Sequence, residues 1–158
     1  MVPTHSGDMR VTFPRLPDHE RAWALVERDD GVVYRLYSGT AGPRLPHDIM
    51  HLVVERELRI KDGIWAGIAA GAPGDPPDPR AELLADLVSS AAALSTLTLD
   101  KIKRLTADKL AALPSAERRG AEVDPVVVAV AARALQVEAA RWARLRVGEE
   151  LSYDWPGK

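Results

Sequence analysis

The chain has 158 residues, in which 21 lysines and arginines nearly balance 23 aspartates and glutamates to give a net charge of −2. This balance argues against a nucleic-acid-binding protein, which would be strongly basic. The absence of cysteine excludes disulfides, cysteine-ligated zinc and thiol catalysis. The length predicts a single domain over residues 1–158. With no apolar leader and no run of about 20 apolar residues, we expect a soluble cytoplasmic protein with no membrane contact.

Residues 10–38 predict a small antiparallel sheet. Arg10–Arg15 alternates between polar and apolar residues, and the β-rich runs Trp23–Arg28 and Val32–Tyr37 flank the turn Asp29–Gly31. An Asp/Gly turn between two such runs predicts a β-hairpin, because glycine adopts a positive φ at little cost. The apolar face of the second arm, which should meet the core, consists of Val32, Tyr34 and Leu36.

A helix is predicted next, over residues 45–58. Pro46 suits the first helical position, and Asp48 in the first turn interacts favourably with the helix dipole. The polar segment Lys61–Gly63 is predicted to stop this helix. The small residues of Ile64–Gly71 fit either a short, tightly packed helix or a buried loop.

The second half of the chain reads as helical. A loop rich in glycine and proline, residues 72–79, leads into a helical part over 80–147. Asp78-Pro79 and Asp124-Pro125 each place an aspartate N-cap before a proline, which predicts a helix start at both sites. A further helix is predicted over Thr98–Leu113. The apolar stripe of the last helix is predicted to consist of Val128, Ala131, Leu135, Ala139, Trp142 and Leu145.

These elements predict an α+β fold. An α+β part over residues 10–71 would hold the N-terminal antiparallel sheet and the helix at 45–58, and a bundle of about three helices would close the other side.

Two histidines stand four residues apart in the segment His47–His51, which reads HDIMH. Helix positions i and i+4 share a face and lie about 6 Å apart along the axis, so both imidazoles can bind one metal ion. At about 100° per residue, His51, Glu55 and Asp48 fall within about 100° of His47, and apolar residues fill the remaining arc. The pattern therefore predicts a partly buried cluster of histidines and carboxylates, as a metal or proton-transfer site requires.

The spacing predicts different roles within this cluster. A metal ion between His47 and His51 would lie about 9 Å along the axis from Glu55, beyond the reach of that side chain. Glu55 is better placed to hold the other ring nitrogen of His51 and set its tautomer. A third metal ligand must come from another segment, and the candidates are His5, His19, Glu82, Asp86, Glu149, Glu150 and Asp154.

The segment resembles the zinc helix of zincin-type metallopeptidases, whose pattern is HExxH. This resemblance, over five residues, implies a zinc ion held by His47 and His51, with Asp48 as the general base where the family has glutamate. The longer string LPHDIMHLVVE, residues 45–55, also resembles uncharacterised bacterial proteins with an LPHDxxHxxVE signature, a likeness that implies no activity.

Two interpretations of function follow. In the first, the chain is a small metalloprotein, a zinc-dependent hydrolase of a small-molecule or peptide substrate, with Asp48 as base and His47 and His51 as ligands. In the second, it is a non-catalytic binding or regulatory module. The histidines, Asp48 and Glu55 then only cap the helix and pair with one another. A metal-free acid–base or ligand site is also compatible with the pattern.

Overall fold

A computed structural model of the chain describes residues 7–71, 79–113 and 123–156. In these ranges the elements are β1 (Met9–Pro14), β2 (Arg21–Arg28), β3 (Val33–Thr40), α1 (His47–Glu57), α2 (Ile64–Ala69), α3 (Pro79–Ala92), α4 (Leu99–Ala111), α5 (Pro125–Arg144) and β4 (Glu150–Trp155). The predicted α+β class is confirmed.

The four strands form one antiparallel sheet in the order β3-β2-β1-β4. Alternate residues of the strands, such as Val11 and Phe13 in β1 and Leu151 and Tyr153 in β4, are buried in one cluster with the helices. This alternation follows from the two-residue period of a strand. The helices therefore cover one face of the sheet.

The hairpin predicted at Asp29–Gly31 is confirmed. Gly31 has a φ of 86° and its N–H donates to the Arg28 carbonyl at 3.1 Å. On β3, Tyr34 and Leu36 face the core, but Val32 in the turn is exposed, in contrast to the prediction. Val32 differs because it lies just before β3 begins.

The three predicted C-terminal helices are present as α3, α4 and α5. The Asp124 side chain accepts a hydrogen bond from Val126 N at 2.9 Å, as expected of an N-cap. Along α5, Val128 and Trp142 are buried as predicted, whereas Ala139 is exposed, so the buried stripe is narrower than expected. Residues 72–78 of the predicted loop, which include the predicted N-cap Asp78, lie outside the described residues.

Sequence analysis did not predict β4. The strand pairs with β1 from Pro14↔Glu150 to Met9↔Trp155, so the last residues of the chain return to the N-terminal sheet. Their apolar residues alternate with polar ones, but the segment follows a long helix and has no hairpin partner nearby in the sequence.

The short helix α2 bears on the candidate site. Residues 64–69 form the short helix α2, one of the two structures predicted there, and Trp65 makes an edge contact with Phe13 of the sheet, with ring centroids 6.1 Å apart. Among the described ranges, no helix is both long and apolar enough to span a bilayer.

Candidate metal centre

The predicted cluster lies on α1, which begins at His47 with Pro46 at its N-cap. The apolar residues Ile49, Leu52 and Val53 of this helix are fully buried in the core. Because they fix the rotation of α1, the opposite sector, with the histidines and carboxylates, is turned towards α2 and the start of α3. His51 and Glu55 are buried there, with His51 only 1 % exposed.

Glu55 holds one ring nitrogen of His51. The distance from His51 Nδ1 to Glu55 Oε2 is 3.1 Å. A carboxylate only accepts hydrogen bonds, so Nδ1 carries the proton and donates it to this contact. In the neutral ring, the lone pair is then on Nε2, which is the tautomer that a histidine needs to bind a metal through Nε2.

The second oxygen of Glu55 is held by α2. Trp65 N donates to Glu55 Oε1 at 3.0 Å, and the Trp65 indole N–H donates to the Asp48 carbonyl at 3.1 Å. One tryptophan thus contacts both ends of the polar sector of α1. Gly63 admits the carboxylate, because a Cβ at that position would lie 2.5 Å from Glu55 Cδ. Sequence analysis missed both residues, and only the proximity of Trp65 to α1 in the sequence hints at this contact.

The other nitrogen of His51 faces α3. Its Nε2 is buried and lies 3.7 Å from Glu82 Oε2, beyond hydrogen-bond distance, and none of the residues that the structure describes gives it a hydrogen-bond partner. The His47 ring lies against His51, with centroids 4.5 Å apart and planes at 64°. His47 itself is exposed and Glu82 is half exposed, so both side chains border the solvent.

Asp48 contributes a second unpartnered polar atom. Its Oδ2 is buried, and no hydrogen-bond donor reaches it from the described part of the chain. Buried polar atoms are nearly always paired, because an unpaired one costs the free energy of its lost hydration. Two such atoms on the first two turns of one helix suggest a site that is completed by a bound group.

Burial, a hydrogen bond and three nearby carboxylates act on the pKa of His51. Burial alone would lower its pKa, but the hydrogen bond to Glu55 and the negative charges of Glu82, Glu55 and Asp48 outweigh burial and raise the pKa above its ordinary value. The carboxylates of the cluster thus attract positive charge to the imidazole of His51, whether a proton or a metal ion.

Of the seven candidates for a third ligand, the structure brings Glu82 to His51. Asp86 pairs with Lys109 at 2.6 Å, Asp154 with Arg10 at 3.4 Å, and Glu149 accepts from Arg146 N. His19 and Glu150 are exposed, in the β1–β2 connection and on β4, and His5 lies outside the described residues. Across the described ranges, no three histidine or acidic side chains are already arranged to hold a metal ion.

Comparison with known proteins adds no relative. No family model matches the chain, and neither the curated proteins nor the solved structures contain a detectable match. A function for this chain therefore has to be inferred from the geometry of the cluster.

Proposed function

We propose that this chain is a small metalloprotein that binds zinc through His51 Nε2, with His47 and Glu82 as further ligands. The observation that supports the proposal most strongly is the buried Nε2 of His51, which has no hydrogen-bond partner among the described residues while Glu55 holds the other ring nitrogen. Zinc-binding histidines are commonly held in this way, with a carboxylate on the nitrogen that does not bind the metal.

The donor set suits zinc. Two imidazoles and one carboxylate are the protein ligands of several catalytic zinc sites, which leave a fourth position for water or substrate. Two ligand atoms about 2.1 Å from a tetrahedral zinc ion are about 3.4 Å apart. The 3.7 Å between His51 Nε2 and Glu82 Oε2 is close to that separation. Because Glu82 and His47 border the solvent, their side chains can turn towards a bound ion without repacking the core.

We propose hydrolysis as the reaction at this site, with Asp48 as the general base. Zinc would supply Lewis acidity towards water and a substrate carbonyl. Asp48 Oδ2, which is buried and has no hydrogen-bond donor in the described part of the chain, would accept the proton from the attacking water. Glu55 would keep His51 oriented through its contacts with His51 Nδ1 and Trp65 N.

The alternative is a non-catalytic module in which the cluster is structural. Glu55 favours this alternative, because its carboxylate joins α1 to α2 through Trp65 N and so has a structural contact that needs no metal. Under this alternative, the chain binds no zinc, and replacing Glu82 has no effect beyond a small change in stability.

Zinc content and ester hydrolysis separate the two functions. Protein purified without chelator or affinity tag should contain one zinc ion and hydrolyse p-nitrophenyl acetate. Asp48→Asn should keep the zinc but lose hydrolysis, because an amide cannot accept the proton of water. Glu82→Gln should weaken zinc binding, whereas Asp86→Asn, one turn further along α3, should not.

Three outcomes would contradict parts of this proposal. Protein that neither contains zinc nor takes it up would support the structural alternative. Hydrolysis that persists in Asp48→Asn would remove Asp48 as the base, and loss of zinc in that variant would make Asp48 a ligand.

A further inference from the structure

Within the described ranges, nothing pairs with the outer edge of β3. This strand is at the end of the four-stranded sheet, next to β2. No backbone hydrogen bond from the described residues reaches its other side. An unpaired strand edge offers a row of N–H and C=O groups to another strand, and natural proteins usually protect such edges.

The hairpin shows which groups of β3 point outward. Arg28 N donates to the Val32 carbonyl at 2.9 Å, so these two residues form a hydrogen-bonded pair. Hydrogen-bonded and non-hydrogen-bonded pairs alternate along an antiparallel ladder. The main-chain N–H and C=O groups that point away from β2 therefore belong to Val33, Arg35 and Tyr37.

The two edges of the sheet differ in their protection. On β4, the exposed side chains include those of the acidic residues Glu150 and Asp154, and the strand has only six residues. β3 has eight residues, no proline and no acidic residue, and Arg35 is its only charged side chain. A bulge protects only its far end, where Gly39 has a φ of 54° and the register with β2 shifts.

We propose that a second copy of this chain pairs with β3 in antiparallel orientation, with Leu36 opposite its counterpart. This inference does not depend on the proposed function. Pairing centred on Arg35 would place two guanidinium groups opposite each other, which is unfavourable. Pairing centred on Tyr37 would set Arg35 opposite Gly39, so that only the central Tyr37 pair would lie clear of the bulge. Centring on Leu36 sets Arg35 opposite Tyr37 of the other copy, at two symmetric places.

The side chains along this edge include exposed apolar groups that a second copy would remove from water. Val32, Val33 and Tyr37 are 43 %, 58 % and 44 % exposed, so apolar area is available to add to the main-chain hydrogen bonds. Arginine stacking on aromatic rings already occurs on this face, where Arg35 lies over Trp23 at 4.3 Å and Arg21 over Tyr37 at 4.4 Å. The symmetric register extends the same kind of contact between the copies.

Sedimentation velocity over a range of protein concentrations tests the pairing. We expect the wild type to form a dimer, and Arg35→Pro to be a monomer, because proline removes an outward N–H without removing a bond to β2. Ser152→Pro is the matched control on the β4 edge and should remain a dimer. A wild-type monomer at several hundred micromolar would overturn the proposal and leave the edge to an extended segment of another protein. Loss of the dimer in Ser152→Pro would overturn it in favour of the β4 edge.

Disulfide cross-linking tests the register of the pairing with variants that introduce no proline. The chain has no cysteine, so a single introduced thiol reports one position. Leu36→Cys should form an intermolecular disulfide on mild oxidation, because directly opposite residues of a non-hydrogen-bonded pair have Cα atoms about 4.5 Å apart. Tyr34→Cys, on the same face, should not, because its counterpart would be displaced by four residues, or about 13 Å. Equal cross-linking at both positions, or none at either, would contradict the Leu36-centred pairing.

Discussion

The carboxylate of Glu55 occupies the space that a Cβ atom at position 63 would need, so only glycine leaves room for it there. A Cβ at position 63 would lie 2.5 Å from Glu55 Cδ, although Gly63 itself has an ordinary extended conformation. The glycine is therefore required by space and not by its backbone angles. Because Glu55 also contacts His51 Nδ1, the backbone at Gly63 controls the orientation of the buried histidine.

Gly63→Ala should displace the Glu55 carboxylate and break its contact with His51. We expect the free energy of unfolding to fall by about 1–3 kcal/mol, as for other overpacked sites. Urea denaturation measures this loss. Gly42→Ala is the control, since a Cβ there would meet no atom within 4 Å. Equal stability of Gly63→Ala and the wild type would contradict this account of Glu55.

Val128→Asp tests the buried face of α5. Val128 is 0 % exposed, so the substitution would bury an unpaired carboxylate and cost about 3–5 kcal/mol. Val130→Asp, on the exposed face of the same helix, should change stability by less than about 0.5 kcal/mol. Thermal denaturation of both variants provides the comparison, and similar melting temperatures would show that the helix is rotated differently.

Local signals explain which parts of the fold could be predicted. The Asp29–Gly31 turn and the Asp124-Pro125 helix start each depend on neighbouring residues, and both predictions are confirmed. β4 was missed because Tyr153 pairs with Val11, more than a hundred residues away in the sequence. No local pattern records such a contact.

In the candidate site, too, the contacts within one helix could be predicted and the contact between helices could not. The helical period placed His47, Asp48, His51 and Glu55 on one sector of α1, where the structure also has them. The approach of Glu82 to His51 depends on how α3 packs against α1, which spacing along the chain does not determine. Spacing along the chain therefore could not rank the seven candidates for a third ligand.

The metal-free protein should gain stability from His51 at low pH. Because its folded pKa is raised above its unfolded value of about 6.5, this contribution is fully present below that pH and is lost as pH rises through the folded pKa. Urea denaturation of the wild type and His51→Gln in the presence of a chelator should show the larger difference at pH 5.5 and the smaller at pH 8.5. A difference that grows with pH would contradict the raised pKa.

Zinc should reverse this dependence. A histidine must be deprotonated to bind zinc, so lowering the pH from about 7.5 to 5 should release the metal and lower thermal stability together. His47→Ala combined with His51→Ala should abolish both effects and keep the fold, because the apolar arc of α1 is unchanged. A zinc-loaded wild type whose melting temperature rises as the pH falls would contradict metal binding at these histidines.

The proposed site has a metal ion on Nε2 of His51 and the Glu55 carboxylate on Nδ1. It is tested most directly by NMR of protein with ¹⁵N-labelled histidine, loaded with ¹¹³Cd²⁺ in place of zinc. The account predicts a one-bond cadmium–nitrogen coupling at Nε2 of His51 and none at its Nδ1. Coupling at Nδ1, or a His51 ring whose two nitrogens do not respond to cadmium, would contradict it.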